Sequence, residues 1–202
     1  MRGAAFNSLG LPMGEREAVA ISTAAAGPLV DWYRKNARQL PWRETKDPYA
    51  IWVSEVMLQQ TRVEAVKPYY RRFLAALPDI AALSAAPEGQ LMKLWEGLGY
   101  YSRARNLQKA ARQVMERHSG RLPPSYGLLL DLAGFGEYTA GAVASIAFGI
   151  PVPAVDGNVL RVFSRLLAAE GDISSPNVRK GYRQLLLETM PQGCPRDYNQ
   201  AL

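Results

Sequence analysis

Strand-forming patterns are almost absent from this chain, and that limits the folds open to it. The alternation of β-branched and polar residues that marks a half-buried strand does not recur along the sequence. Apolar residues instead recur at helical spacing, in segments joined by short connections that contain proline or glycine. The pattern predicts an all-α protein. The predicted helices span residues 29–36, 49–60, 63–77, 80–85, 88–97, 102–118, 125–132, 138–148, 158–169 and 177–190.

Size, charge and cysteine content narrow the class of protein. The 202 residues fit one large domain or two small ones, and a hydrophobic content of 48% is enough for a core. A formal net charge of +6 favours nucleic acid or another anionic partner. The single cysteine, Cys194, excludes an internal disulfide and fits a reducing compartment. No apolar run reaches about 18 residues, so no membrane span is predicted.

Residues 132–156 carry the first functional signal. The segment opens on L-A-G-F-G, in which Gly134 and Gly136 tolerate positive φ and place no Cβ between the backbone and a ligand. A helix that begins near Tyr138 would point its free N–H groups and the positive end of its dipole outward, where a phosphate fits. Such a pair of glycines also suits an ordinary helix C-cap and tight turn, so both interpretations stay open.

A carboxylate lies in the middle of the most apolar predicted helix. The segment P-Y-A-I-W-V-S-E-V-M-L-Q-Q-T is apolar on almost every face and should be buried, together with Glu55. Burying a carboxylate without a partner is costly. Glu55 is therefore either part of a structural ion pair, with Arg43 or Arg105 as its partner, or a general acid.

A second carboxylate, Asp156, lies in P-A-V-D-G-N. It can cap the helix that follows it, or it can stay ionised near that helix end and stabilise positive charge. One acid that protonates a leaving group and one carboxylate that stabilises positive charge together suit the cleavage of a glycosidic bond.

Several long motifs resemble the MutY family, the bacterial adenine DNA glycosylases of the helix-hairpin-helix superfamily. The resemblance covers residues 28–202 and implies a six-helix barrel at 46–152, which holds the hairpin. It also implies a second helical domain, incomplete here, formed by 28–45 with 153–202, and DNA that runs between the two. The matching segments are L-P-W-R-x-x-x-D-P-Y (40–49), S-E-V-M-L-Q-Q-T (54–61), W-E-G-L-G-Y-Y-S-R-A-R-N-L (95–107), L-A-G-F-G-E-Y-T-A-G-A-V (132–143) and P-A-V-D-G-N-V-L-R-V (153–162).

The resemblance implies an activity on double-stranded DNA. Adenine mispaired with 8-oxoguanine or guanine would be flipped out of the stack and removed. Glu55 resembles the general acid that protonates the purine, and Asp156 resembles the residue that stabilises the oxocarbenium ion. Asn158 resembles a polar partner that orients this site.

The same resemblance assigns further residues to DNA contact. Trp42 and Arg43 match positions that line the adenine pocket. Gln59, Gln60 and Tyr100 resemble the wedge that fills the vacated stack and probes the opposite strand. Ordinary core packing remains the alternative for Tyr100.

Tyr138 separates two branches of the superfamily. Relatives with combined glycosylase and lyase activity, such as endonuclease III, carry at this point a lysine that forms a Schiff base with the sugar. A phenol cannot do so. Tyr138 therefore predicts a monofunctional glycosylase, with an endonuclease III-like enzyme as the alternative.

The family also carries a [4Fe–4S] cluster, whose cysteine ligands would lie beyond Leu202. Cys194 matches none of them, so we expect this chain to bind no cofactor or metal. A chain that ends at Leu202 would be weakly stable, which leaves an inactive truncation product or a non-catalytic DNA-binding module as alternatives. We further expect a monomer in the bacterial cytoplasm, a disordered tail at residues 1–27, and no catalytic role for the lone histidine, His118.

Overall fold

The computed structural model describes residues 6–202, and within them the protein contains helices and no strand, which confirms the predicted all-α class. Two 3-10 turns, Asn7–Leu9 and Pro41–Arg43, accompany the α-helices. The α-helices are α1 (Glu15–Asn36), α2 (Pro48–Leu58), α3 (Val63–Ala76), α4 (Ile80–Ala85), α5 (Glu88–Trp95), α6 (Ser102–Arg117), α7 (Tyr126–Leu130), α8 (Glu137–Phe148), α9 (Gly157–Leu166), α10 (Pro176–Thr189) and α11 (Pro195–Ala201).

The described residues form two compact units. The central unit is Arg38–Phe148, and the terminal unit joins residues 6–37 to Gly149–Leu202. Residues 38–45 were expected to belong with the chain ends, but they cluster with the central unit. The reason is local packing: the turn at Pro41–Arg43 buries Trp42, whose ring meets Tyr70 edge-on at a centroid distance of 5.4 Å.

The prediction of a disordered tail is wrong for residues 6–27. Phe6 and Leu9 are buried in the core of the terminal unit, and the Leu9 carbonyl accepts a hydrogen bond from the amide of Gly171. Helix α1 begins at Glu15, whereas the predicted helix began at residue 29, and Pro28 lies inside α1. Acidic residues in the first turn of α1 favour this earlier start, because they interact with the positive end of the helix dipole. Residues 1–5 of the predicted tail lie outside the described residues.

Helix α2 is buried along almost its whole length, as its composition predicts. Asp47 caps its N-terminus by accepting a hydrogen bond from the amide of Tyr49 at 3.0 Å. Trp52 on α2 packs against Phe135 of the loop before α8, with a ring-centroid distance of 5.2 Å. Ser125 caps α7 in the same way, because its hydroxyl accepts a hydrogen bond from the amide of Leu128. Helix α2 thus forms the centre of its unit and carries Glu55 into it.

Helix α11 was not among the predicted helices, and it positions part of the terminal unit. The side chain of Asn199 on α11 accepts a hydrogen bond from the amide of Ala154 at 2.7 Å and donates one to the carbonyl of Val152 at 3.1 Å. Arg34 on α1 pairs with Asp197 at 2.8 Å. These contacts fix the extended segment that leads into Asp156.

Candidate active site and nucleic-acid interface

Glu55 lies inside the central unit, facing the helix that follows the hairpin. Only 8% of the residue is exposed, and its Oε2 accepts a hydrogen bond of 2.9 Å from the hydroxyl of Tyr138, in the first turn of α8. Of the two arginines proposed as partners, Arg105 instead pairs with the exposed Glu88, at 2.9 Å. Glu55 and Tyr138, which the sequence analysis singled out separately, therefore form one acid–phenol pair. A buried carboxyl with a phenol as neighbour is suited to exchanging a proton with a bound base.

The loop between α7 and α8 has the form expected of a phosphate-binding hairpin. Leu132 and Phe135 are buried and anchor the loop, whereas Gly134 and Gly136 are exposed. Gly134 adopts a φ of +75°, and a Cβ placed there would lie 2.8 Å from the Cβ of Asn106. Gly136 does not use this freedom: its φ is not positive, nothing lies within 4 Å of the place where a Cβ would stand, and its carbonyl accepts a hydrogen bond from the amide of Ala140.

Two predicted wedge residues project from strained backbone. Gln60 (φ 56°) and Tyr100 (φ 47°) are non-glycine residues in the left-handed region. Tyr100 is 63% exposed, which rules out core packing as its explanation. Gln59 is half-buried and donates to the hydroxyl of Thr139 on α8 at 3.2 Å. Gln59 thus ties the end of α2 to α8, while Gln60 and Tyr100 remain accessible.

Trp42 and Arg43, predicted to line the adenine pocket, differ in exposure. Trp42 is buried against Tyr70, and burial raises the pKa of the Tyr70 phenol to about 12, so that hydroxyl stays protonated at neutral pH. Arg43 is half-buried, and its Nη1 donates to the carbonyl of Arg38 at 3.5 Å. Their role in holding adenine stays a prediction.

Asp156 is the N-cap of α9. Its Oδ1 accepts hydrogen bonds from the amides of Asn158 (2.8 Å) and Val159 (2.9 Å). Its Oδ2 accepts from the side-chain amide of Asn158 at 3.1 Å, and Arg161 contacts the Asn158 oxygen at 3.5 Å. Asp156 is half-buried rather than buried, so capping and a catalytic role are compatible. The Asp156 carboxylate thus lies at the N-terminus of α9, the positive end of the helix dipole.

The clearest omission of the sequence interpretation is Arg103, at the start of α6. It is 9% exposed, and its guanidinium lies between the segments that carry Gln60 and Tyr100. Burial lowers the pKa of this guanidinium, although arginine remains charged in proteins.

The described residues contain no group of three or more His, Cys, Asp or Glu side chains placed to hold a metal ion. Cys194, half-buried before α11, is the only cysteine of the chain, so these residues do not supply the four thiolates of an iron–sulfur cluster. Along residues 6–202, every helix falls short of the length and apolar character that crossing a membrane requires.

The fold and the hairpin loop define a helix-hairpin-helix protein. Residues 53–187 match the HhH-GPD superfamily base excision DNA repair proteins. The chain belongs to this superfamily.

Known proteins resemble the chain in sequence and in structure. The adenine DNA glycosylase of Homo sapiens is 44% identical over 192 residues, which cover 91% of this chain and 35% of that protein. The adenine DNA glycosylase of Buchnera aphidicola (Baizongia pistaciae) is 39% identical over 180 residues, 86% of this chain and 49% of that protein. The chain thus spans about a third to a half of the length of these curated relatives.

Two solved structures share the fold. A thermostable thymine-DNA glycosylase superposes with a TM-score of 0.80 at 28% identity, covering 90% of this chain and 84% of its own. A trapped endonuclease III–DNA covalent intermediate gives a TM-score of 0.76 at 22% identity, covering 94% and 85% of the two chains. The second likeness concerns the fold alone.

Proposed function

We propose that this chain is a monofunctional DNA glycosylase that hydrolyses the N-glycosidic bond of adenine mispaired with 8-oxoguanine or guanine. The observation that carries the proposal is the buried Glu55 carboxyl, hydrogen-bonded to Tyr138 at 2.9 Å. The adenine DNA glycosylases that are 39–44% identical to the chain support adenine as the target base.

In the proposed reaction, the target adenine leaves the duplex stack and is bound by the enzyme as an extrahelical base. Glu55 protonates the purine, which makes adenine a neutral leaving group as the bond between base and sugar breaks. The sugar gains oxocarbenium character, and the ionised Asp156 stabilises its positive charge. Water completes the hydrolysis, and the strand keeps an abasic site.

Tyr138 supports a reaction without strand cleavage. A lyase forms a Schiff base between an amine and the sugar, which a phenol cannot do. In this protein the phenol is bound to the carboxyl of Glu55 instead. Tyr138 thus holds the carboxyl of the general acid, Glu55, through a hydrogen bond. It supplies no nitrogen that could attack the sugar.

The proposed partner is duplex DNA, which the chain binds as a monomer. The hairpin loop exposes Gly134 and Gly136 at the N-terminus of α8, where main-chain amides suit a phosphate. The net charge of +6 adds an attraction that does not depend on sequence. We expect affinity to fall as salt concentration rises.

A single-turnover assay on labelled duplexes tests the proposal. The purified chain is incubated with duplexes that contain adenine opposite 8-oxoguanine, adenine opposite guanine, adenine opposite thymine, or thymine opposite guanine. We expect abasic sites only in the first two, strand breaks only after alkali, and no adduct trapped by borohydride. Excision of thymine would favour the activity named for the structural neighbour instead, and no excision from any duplex would refute the proposal.

A further inference from the structure

Arg103 is a buried cation whose hydrogen-bond partners are main-chain oxygens and one hydroxyl. Nη1 donates to three carbonyls at the end of α2, and Nη2 donates to the loop before α6 and to a threonine. Because no carboxylate is among these partners, carbonyl dipoles balance the charge. The acceptors are the carbonyls of Val56 (3.0 Å), Met57 (3.2 Å), Gln59, Leu98 (2.9 Å) and Gly99 (3.2 Å), and the Thr61 hydroxyl (3.4 Å).

These contacts make Arg103 the cap of a helix to which it does not belong. The last carbonyls of an α-helix lack partners within the helix and carry the negative end of its dipole. The carbonyls of Val56 and Met57 are of this kind, and Arg103 supplies both donors and a positive charge. The same guanidinium holds the loop that follows α5, where the indole of Trp95 also donates to the Gly99 carbonyl, at 3.1 Å.

Each of the two segments held by Arg103 contains one strained, exposed residue. Gln60 (φ 56°) lies between Gln59 and Thr61, and Tyr100 (φ 47°) follows Gly99. Left-handed backbone at non-glycine residues persists only where the surrounding structure fixes it, and it is concentrated at functional sites. The guanidinium carbon also lies 5.6 Å from the centre of the Tyr100 ring. Both strained residues therefore depend on the same cation.

We propose that Arg103 is a positioning residue that presents Gln60 and Tyr100 together, so that both insert into DNA when the target base leaves the stack. We call residues 59–61 and 98–100 the wedge segments. The inference rests on the proposed function, because a wedge is needed only by an enzyme that extrudes a base. The inference adds that the guanidinium of Arg103 couples the two wedge segments. A substitution that weakens its hydrogen bonds should therefore disturb both segments at once.

Hydrogen exchange tests the clamp without any catalytic readout. Lysine keeps the charge of Arg103 but cannot reach six acceptors with one ammonium group. In Arg103→Lys we expect faster exchange of the amides of Thr61 and Leu98, which close turns in or beside the two wedge segments. Arg105→Lys is the matched control, since Arg105 is exposed and pairs with the exposed Glu88. Unchanged exchange in both wedge segments of Arg103→Lys would overturn the proposal.

Excision from two duplexes separates a wedge defect from a general loss of structure. One duplex holds adenine opposite guanine, and the other holds adenine opposite a tetrahydrofuran abasic analogue, where an unpaired base costs less to extrude. We expect Arg103→Lys to lower the single-turnover rate on the paired duplex by about 10- to 100-fold, as displaced positioning groups do. On the unpaired duplex the loss should be several-fold smaller, and Arg105→Lys should match the parent on both.

An equal loss on both duplexes, or no loss on either, would overturn the positioning role while leaving the proposed function intact. A parent chain that excises adenine from neither duplex would refute the proposed function first, before any variant is compared. If Arg103→Lys loses protection throughout the central unit, Arg103→Gln takes its place, because a neutral amide is less costly to bury. Loss of fold in both variants would make Arg103 a requirement of the fold and would also overturn the proposal.

Discussion

The substitution Asp156→Asn separates the charge of this residue from its capping role. Asparagine caps helices about as well as aspartate, so its side-chain oxygen can keep the hydrogen bonds to the amides of Asn158 and Val159. The variant loses the interaction of a charge with the helix dipole, worth about 0.3–1 kcal/mol. Asp156→Ala also loses the cap, which costs about 0.5–2 kcal/mol. We therefore expect the alanine variant to unfold at a lower temperature than the asparagine variant.

The two Asp156 substitutions should affect the rate of adenine excision differently from thermal stability. Both Asp156 variants lose the stabilising carboxylate, so we expect each to excise adenine about 10²- to 10³-fold more slowly than the parent. DNA affinity, measured by fluorescence anisotropy, should change little, because the hairpin and the basic charge remain. Asp172→Asn is the control, since Asp172 accepts comparable bonds from Ser174 in an exposed turn (2.9 and 2.7 Å). Two results would refute the catalytic role of Asp156. One is a near-parental excision rate in Asp156→Asn, and the other is a loss of excision rate that only parallels the loss of thermal stability in the two variants.

Three further substitutions, the last with a matched control, test other residues. Glu55→Gln should abolish excision, because an amide accepts the Tyr138 hydrogen bond but cannot act as an acid; excision with an unchanged pH–rate profile would make Glu55 structural. Tyr138→Lys should gain an adduct trapped by borohydride, absent in the parent, and efficient strand cutting by the parent would contradict this reasoning. Gly134→Ala should lower the free energy of unfolding by at least about 1–2 kcal/mol, owing to its positive φ and its contact with Asn106. Gly136→Ala, with open space at the Cβ and no positive φ, should be nearly neutral, and equal losses in chemical denaturation would count against this account.

The helices of the central unit were predictable where their apolar composition requires burial. Helix α2 is apolar on almost every face, and both its burial and that of Glu55 follow from composition. Its end was not predictable, because the expected helix ran to Gln60 whereas α2 stops at Leu58. The carbonyls on either side of that point, those of Val56, Met57 and Gln59, bind Arg103, a partner more than 40 residues away in sequence.

Residues 6–27 were mispredicted because their order depends on residues that are distant in sequence. Residues 1–27 read as Gly, Ser, Ala and charge, a composition typical of tails. The Leu9 and Gly10 carbonyls accept hydrogen bonds from the amides of Gly171 and Glu170, and a Cβ at Gly171 would lie 2.7 Å from the Leu9 oxygen. A contact across some 160 residues leaves no local pattern, although a glycine at that position is what permits it.

The candidate site was predictable as a set of residues but not as a set of contacts. Glu55 and Tyr138 each stood out, one as an acid in an apolar helix and one as a phenol at the start of the hairpin helix. Their hydrogen bond joins positions 83 residues apart, and no local spacing indicates it. The capping of α9 by Asp156 was predictable, because an Asp one residue before a helical segment favours it.

The helical phase of α6 does contain a signal for Arg103. Leu107, Ala111 and Val114 are buried at helical spacing, and Arg103 lies one turn before Leu107 on that same face. Arg105 lies two residues further on, about 200° around the helix, and is exposed. An arginine in phase with an apolar stripe must find acceptors inside the protein, and the nearest supply is the unpaired carbonyls at a helix end. The charge pattern of a helix thus distinguishes a solvated arginine from one that organises its neighbours, once each cation is placed on the face that its position dictates.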